Sequence, residues 1–131
     1  MEKMLNLCSF EQAQRLKKAG FDWDVTDFYV ENPNDFMLVK PVLTKIKWDE
    51  LDTTNIYHSA PTVALALKWF RDEKGIRGFV LQTNRANYKI FADYDNGVNS
   101  GNYNLGYNFY NTYEAAESAL LDELLTILEE N

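Results

Sequence analysis

Two segments of this chain carry nearly complete helix signals, and they constrain its fold more than any other feature. They span residues 57–75 and 111–128. In the first, Pro61 suits the opening turn, where its missing N–H costs nothing, and Gly75 suits the left-handed position that ends a helix. We therefore predict a helix that starts near Ser59. Apolar side chains occupy most of its circumference, which is typical of a helix buried on most sides.

Each of these helices has an identifiable buried side. Trp69 stands in the middle of the first, and we predict that it is among the most buried residues of the chain. The second helix follows a cap at Asn111 or Thr112, two residue types that favour that position. We expect its inward positions to be Ala116, Leu120, Leu121, Leu124, Ile127 and Leu128.

A third helix is predicted near the amino terminus, with both of its ends marked. Ser9 and Gln12 have the spacing of a capping box, in which each side chain bonds to the other's backbone N–H. Gly20 suits the left-handed residue after the last turn, and Phe21 can pack back on Leu16. The pattern predicts a helix between Ser9 and Gly20.

Strand signals are short, and they alternate with turn residues. The clearest is a period-two alternation of apolar and polar residues over 103–110. A turn is predicted at 32–35 and a long polar loop at 93–102. The other predicted strands span residues 27–30, 36–39, 78–83 and 87–92.

These elements predict an α+β fold. Helix and strand signals are segregated along the chain, which favours helices packed on an antiparallel sheet. We expect three helices on one face of a sheet of about four to five strands. With 131 residues, we expect a single compact domain over residues 1–131.

Composition and charge exclude several classes of function. The chain is 46% hydrophobic with a formal net charge of −7, and it has no basic run that could displace counterions from phosphates. We expect no direct nucleic-acid binding. The longest apolar run, 63–67, is too short to span a bilayer, so no membrane attachment is expected. Cys8 is the only cysteine, and no signal peptide is recognisable, so the cytoplasm is the expected location.

Residues with catalytic or ligating chemistry are sparse. Asp93, Asp95 and Gly97 resemble part of a calcium loop, but the glycine is one place early and no glutamate stands at the bidentate position. Cys8 and His58 could form a nucleophile and base, with the thiol pKa lowered before a helix. Their arbitrary spacing favours ordinary packing instead.

Three carboxylates at Asp22, Asp24 and Asp27 could hold Mg²⁺, although a solvated loop is the preferred interpretation. No phosphate-binding loop or other known catalytic motif is present in the sequence. We therefore predict no catalytic residue, no cofactor and no metal.

The carboxy-terminal segment is strongly acidic. Residues 111–131 contain six acidic side chains and no lysine or arginine. An acidic helix face is most often a solvated surface, but it can also dock a basic partner. Tyrosine favours recognition surfaces, because it offers a large contact area at low entropic cost. The possible partner surface therefore consists of Glu114, Glu117, Asp122, Glu123, Glu129, Glu130, Tyr94 and Tyr110.

Three short motifs lie in the segments 57–75 and 112–128: Ala60-Pro61-Thr62, Lys68-Trp69-Phe70 and Thr112-Tyr113-Glu114-Ala115-Ala116. With these motifs the chain resembles a group of small uncharacterised proteins from phages and other mobile elements in bacteria. The likeness covers about half of the chain, and residues 7–23 share it more weakly. It implies a mobile-element origin, assigns no activity, and transfers no functional residue.

The absence of chemical motifs favours a non-enzymatic, protein-interaction module that acts as an accessory protein in the bacterial cytoplasm. Two alternatives stay open at this point. One is a small-ligand-binding protein or small enzyme with an unrecognised site, which an ordered pocket with converging polar groups would favour. The other is an acidic inhibitor that mimics DNA.

Overall fold

The structure is a computed structural model that describes residues 6–25, 27–31, 36–39, 56–85, 87–95, 97–106 and 108–130. The helices are α1 (Phe10–Ala19), α2 (Val63–Lys74) and α3 (Tyr113–Glu129). The strands are β1 (Phe28–Glu31), β2 (Phe36–Val39), β3 (Ile56–Ser59), β4 (Ile76–Asn84), β5 (Asn87–Asp95) and β6 (Ser100–Tyr103). Among the described residues, three helices with antiparallel sheets confirm the predicted α+β class.

The chain divides into two compact units, residues 1–62 and 63–131. The first unit contains α1 and the sheet β2–β1–β3, and the second contains α2, α3 and the sheet β4–β5–β6. The prediction of one domain over 1–131 is not tested by this division and stays a prediction.

In the first unit, the ends of α1 confirm their sequence signals. Ser9 Oγ accepts from the Gln12 N–H at 3.1 Å, and Gln12 Oε1 accepts from the Ser9 N–H at 2.8 Å. Gly20 has a φ of +99°, and the Phe21 N–H donates to the Leu16 carbonyl at 3.0 Å. Phe21 and Leu16 are both buried. Capping and the left-handed glycine therefore fix this helix locally.

The strands at 28–31 and 36–39 confirm two predictions, while β3 was not predicted. The predicted turn at 32–35 lies outside the described residues. β3 pairs with β1, placing Ser59 opposite Phe28, and the N–H of Ala60 donates to the carbonyl of Asp27 at 2.9 Å. The N–H of Cys8 donates to the Pro61 carbonyl at 2.9 Å. These non-local bonds hold residues 59–61 extended, so the predicted helix start near Ser59 is wrong and α2 begins at Val63.

In the second unit, α3 contacts both β4 and β5, while α2 contacts β4 and α3. Trp69 is 2% exposed, which confirms that it is among the most buried residues. The Thr112 hydroxyl accepts from the Ala115 N–H at 3.0 Å and caps α3 as predicted. Of the predicted inward positions, Ile127 and Leu128 are half-buried, while the other four are buried.

The prediction of one sheet of four to five strands is not confirmed, because the described strands pair in two sheets of three. Alternation of apolar and polar residues along a strand identifies which side chains share a face, but it does not determine which strands pair with one another. Strand pairing depends on contacts between residues that are distant in sequence.

Among the described residues, the continuous strand predicted over 103–110 is wrong, because regular pairing ends at Tyr103. β6 ends at Tyr103, and Gly106 adopts a φ of +85° with its N–H donating to Asn104 Oδ1 at 3.0 Å. This side-chain-to-backbone bond competes with strand pairing and turns the chain. Tyr110 forms a single bridge to Tyr88, and Tyr107 lies outside the described residues.

The polar loop predicted at 93–102 is also wrong, because most of it forms a hairpin. β5 continues to Asp95, which pairs with Ser100 at the start of β6. The Gly97 N–H donates to Asp95 Oδ1 at 2.9 Å, so these residues form a turn. The sheet of the second unit is thereby longer on this side than the sequence indicated.

Candidate protein-interaction surface

The sheet of the second unit has one face that its helices leave exposed. On the covered face, a side chain at Gly78 would meet Leu120 of α3 at 3.0 Å. The odd-numbered residues of β4 and β5 point to the opposite face, and the cross-strand register pairs them with one another. We call this surface the open face, and its residues are Arg77, Phe79, Leu81, Lys89, Phe91 and Asp93.

Three of the six residues of the open face are large and apolar. Phe79 and Leu81 are 49% and 50% exposed, and Phe79 stacks on Phe91 with ring centroids 5.4 Å apart. The ammonium of Lys89 lies 5.7 Å from the ring centroids of both Phe91 and Phe109. Phe109 is itself 55% exposed. We call Phe79, Leu81, Phe91 and Phe109 the apolar patch.

A polar pair borders this patch. Arg77 Nε donates to Asp93 Oδ1 at 2.7 Å, and Nη2 donates to Oδ2 at 3.1 Å. The guanidinium therefore forms two parallel hydrogen bonds to the carboxylate. The hydrogen bonds to Asp93 hold the pKa of Arg77 above its ordinary value. An apolar centre with a charged rim has the composition of a protein interface.

A groove of about 430 Å³ lies between α2 and β4. Three of its lining side chains are cations, and two of them pair with Asp72: Lys68 through Nζ, and Arg71 through Nε at 3.4 Å. The hydrogen bond from Lys68 is the main reason that the pKa of Asp72 lies below its ordinary value. The groove is lined by Ala64, Leu67, Lys68, Arg71, Arg77, Gly78 and Phe79.

The acidic residues predicted as a partner surface do not all point outward. Glu117 is only 8% exposed, so the prediction that it lies on the outer face of α3 is wrong. It stands one turn before Leu120 and Leu121, which places it on the buried stripe. Burial, followed by the charge of Glu117, raises the pKa of the Tyr113 hydroxyl. Glu123 is half-buried, and the exposed acids are Glu114, Asp122, Glu129 and Glu130.

The two tyrosines of the predicted surface are both half-buried. The ring of Tyr94 lies 5.2 Å from that of Tyr103, and on the covered side of the sheet it occupies the space that a side chain at Gly101 would need. Tyr110 exchanges two backbone hydrogen bonds of 2.9 Å with Tyr88. Neither tyrosine therefore extends the open face.

Cys8 and His58 are both buried in the first unit. Burial raises the pKa of the Cys8 thiol to about 12, so the interpretation of a lowered pKa is wrong. A thiol with a pKa this high is protonated at neutral pH and is therefore a poor nucleophile. The ring of His58 packs edge-on against Phe10 at 5.5 Å, and the Tyr29 hydroxyl donates to the Cys8 carbonyl at 2.8 Å. The surroundings of both residues are those of a packed core.

We expect Cys8 to resist a thiol-reactive disulfide reagent at pH 8 in the native protein and to react fully in urea. Between pH 9 and 12 the unfolded thiol ionises while the buried thiol does not. The free energy of unfolding should therefore fall as the pH rises through this window. Urea titrations at several pH values measure the slope, and Cys8→Ala should make it shallower. Rapid labelling without urea, or an identical slope in the variant, would contradict the buried thiol.

Among the described residues, no group of three or more His, Cys, Asp or Glu side chains is arranged to hold a metal ion. Asp22 and Asp24 are exposed, and Asp27 is half-buried. In the part of the chain that the structure describes, no helix combines the length and apolar character that crossing a membrane requires.

Comparison with protein-family models, curated proteins and solved structures finds no match for this chain. The open face and the groove are therefore interpreted from their own geometry. Sequence reasoning missed them, although one signal was present. In β4, Ile76 and Val80 are apolar at even positions and Phe79 and Leu81 at odd positions, so the strand offers an apolar side chain to both faces.

Proposed function

We propose that this chain is a non-enzymatic protein-interaction module that binds a partner protein through the apolar patch of its second unit. The observation that carries this proposal is the exposure of Phe79, Leu81 and Phe109, each about half accessible, around the stacked ring of Phe91. Large apolar side chains that cluster on a surface mark interaction sites far more often than isolated ones do.

The way in which the patch is held supports the same function. Phe79, Leu81 and Phe91 project from hydrogen-bonded strands, so a partner would not have to order them. Aromatic side chains contribute large buried areas at the centre of interfaces, and the Arg77–Asp93 pair supplies a polar rim. The proposed location is the bacterial cytoplasm, with a mobile-element origin resting on the sequence resemblance alone.

The groove keeps a small-ligand-binding protein as a second candidate, because Lys68, Arg71 and Arg77 converge on it beside Phe79. A small dicarboxylate would be its simplest ligand. Calorimetric binding of malonate or citrate that is lost in Lys68→Ala and Arg71→Ala, without any peptide or protein binding at the patch, would favour this candidate.

The proposal predicts that ligands selected from a displayed library of random peptides against the purified full chain depend on the patch. Phe79→Ala and Phe109→Ala should each weaken the selected peptides at least tenfold, since truncating a central aromatic anchor typically costs about 1.4 kcal/mol or more. Calorimetry measures the affinities. Val98→Ala is the control, because it removes an apolar side chain that is 87% exposed but lies in the turn after β5, outside the patch. This variant should leave the peptide affinities unchanged.

Thermal melts of each variant establish that the fold is retained. Affinities that respond equally to Val98→Ala and Phe79→Ala would contradict the proposal, as would a selection that yields no peptide above background.

A further inference from the structure

We infer that the outer edge of β4 docks an extended, acidic segment of a partner protein, which adds a strand to the sheet beside the basic groove. This inference rests on the proposed function and names the chemistry of the partner. It follows from three features that meet at one place: the pairing of β4, the groove next to it, and the charges in that groove.

The first feature is the outer edge of β4. Among the strands that the structure describes, β4 pairs with β5 alone, so its other edge has no strand partner there. β4 is nine residues long, contains no proline, and has Arg77 as its single charged residue. Its pairing register with β5 shifts between Gln82 and Asn84, so the regular edge runs from Ile76 to Gln82. Proteins usually protect long edge strands with prolines, charges or bulges against pairing with other chains. An edge of this length and composition suits the addition of a strand from a partner.

The second feature is the space beside that edge. The groove of about 430 Å³ is bounded by β4 at residues 77–79 and by the side of α2 that carries Ala64 and Leu67. A strand that pairs with β4 sends alternate side chains to opposite faces. One set would enter the groove against Leu67, and the other would lie on the open face next to Phe79 and Leu81. The main chain supplies affinity in this binding mode, while the two sets of side chains supply specificity.

The third feature is the charge of the groove. Lys68, Arg71 and Arg77 line it, although the chain as a whole has a net charge of −7. Lys68 and Arg71 pair with one carboxylate, that of Asp72, and the side chains of these pairs are 38–53% exposed, whereas Arg77 forms two parallel bonds to Asp93. The exposed pairs with Asp72 contribute little, so a ligand carboxylate can replace or join Asp72 at small cost. The groove therefore complements acidic side chains that enter it.

Other occupants fit these charges less well. The affinity of a protein for a nucleic acid depends on the number of phosphates that its cations neutralise. The groove offers only three cations, on a molecule that is strongly negative overall, so a nucleic acid would bind weakly. A second copy of this chain carries the same net charge of −7, and like charges on the two partners oppose association.

The test uses the full chain and a displayed library of random ten-residue peptides. We expect the enriched sequences to lack proline and to carry acidic residues at alternate positions. The double substitution Lys68→Glu with Arg71→Glu should weaken these peptides at least tenfold. The double substitution Lys18→Glu with Arg85→Glu makes the same change in net charge at exposed residues outside the groove, and it should change affinity less than threefold.

Backbone methylation separates strand addition from simple charge attraction. Methylating the peptide nitrogens at one set of alternate positions should abolish binding, because those N–H groups bond to β4, while methylating the other set should be tolerated. Amide hydrogen exchange of the full chain should slow within Ile76–Asn84 when the unmodified peptide is added.

Each alternative gives a distinct result. Enrichment of basic or neutral peptides, or equal tolerance of both methylation patterns, overturns the inference. Displacement of the peptide by single-stranded oligodeoxythymidine, or a dimer in sedimentation with β4 amides already protected, overturns it in favour of the other occupants. Peptides that respond to Phe79→Ala but not to Lys68→Glu with Arg71→Glu leave the proposed function standing and refute the inference alone.

Discussion

Replacing Trp69 by alanine should lower the free energy of unfolding by about 3–5 kcal/mol, as truncations of large buried aromatic side chains do. Trp69 is 2% exposed, its ring meets that of Phe70 edge-on at 5.1 Å, and the ammonium of Lys74 lies 5.3 Å from its centroid. Removing the indole leaves a cavity inside the second unit that the surrounding side chains can fill only in part. Urea denaturation monitored by far-ultraviolet circular dichroism measures the loss.

Phe79→Ala is the matched control for this prediction. It also truncates a large aromatic side chain of the second unit, but Phe79 is 49% exposed and should cost less than about 1 kcal/mol. Equal losses for the two variants would show that the core of this unit does not depend on Trp69.

Replacing Gly78 by valine should destabilise the protein by about 1–3 kcal/mol, even though valine favours strands more than glycine does. A Cβ atom at this position would lie 3.0–3.1 Å from three side-chain atoms of Leu120. Leu120 lies on the fully buried side of α3, so its side chain cannot rotate away into solvent. The steric conflict therefore outweighs strand propensity.

A double-mutant cycle tests the origin of that loss. Leu120→Ala alone should cost about 2–5 kcal/mol, because it removes buried apolar volume. In that background Gly78→Val has room, so the double variant should be more stable than the sum of the two losses by about 1–2 kcal/mol. Losses that add within about 0.5 kcal/mol would place the strain elsewhere.

The charge pattern of the sequence did not predict where the proposed interaction surface lies. The acidic residues of α3 are the most conspicuous charge feature of the sequence, yet Glu117 lies on the buried stripe and Glu123 is half-buried. The open face instead consists of residues from two strands, and Phe109 joins them from outside the sheet. Pairing of Phe79 with Phe91 is a property of cross-strand register, which no single segment encodes.

The sequence by itself determined the features that depend on neighbouring residues. Helix ends are such features, because capping residues form hydrogen bonds to backbone groups only three or four residues away. The helix ends predicted in this way are marked by Ser9, Gln12, Gly20 and Thr112. The burial of Trp69 followed from the wide apolar surface of its helix.

Tertiary structure decided the rest, because those features depend on partners far along the chain. One exception is local: alternation over 103–110 predicted a strand, but a hydrogen bond from the Gly106 N–H to Asn104 Oδ1, two residues earlier, turns the backbone. Residues 59–61 were predicted as the start of a helix, but hydrogen bonds to Cys8 and Asp27 hold them extended. An N–H or C=O group bonds to whichever group the fold brings within reach, and local propensity yields where a distant partner is available.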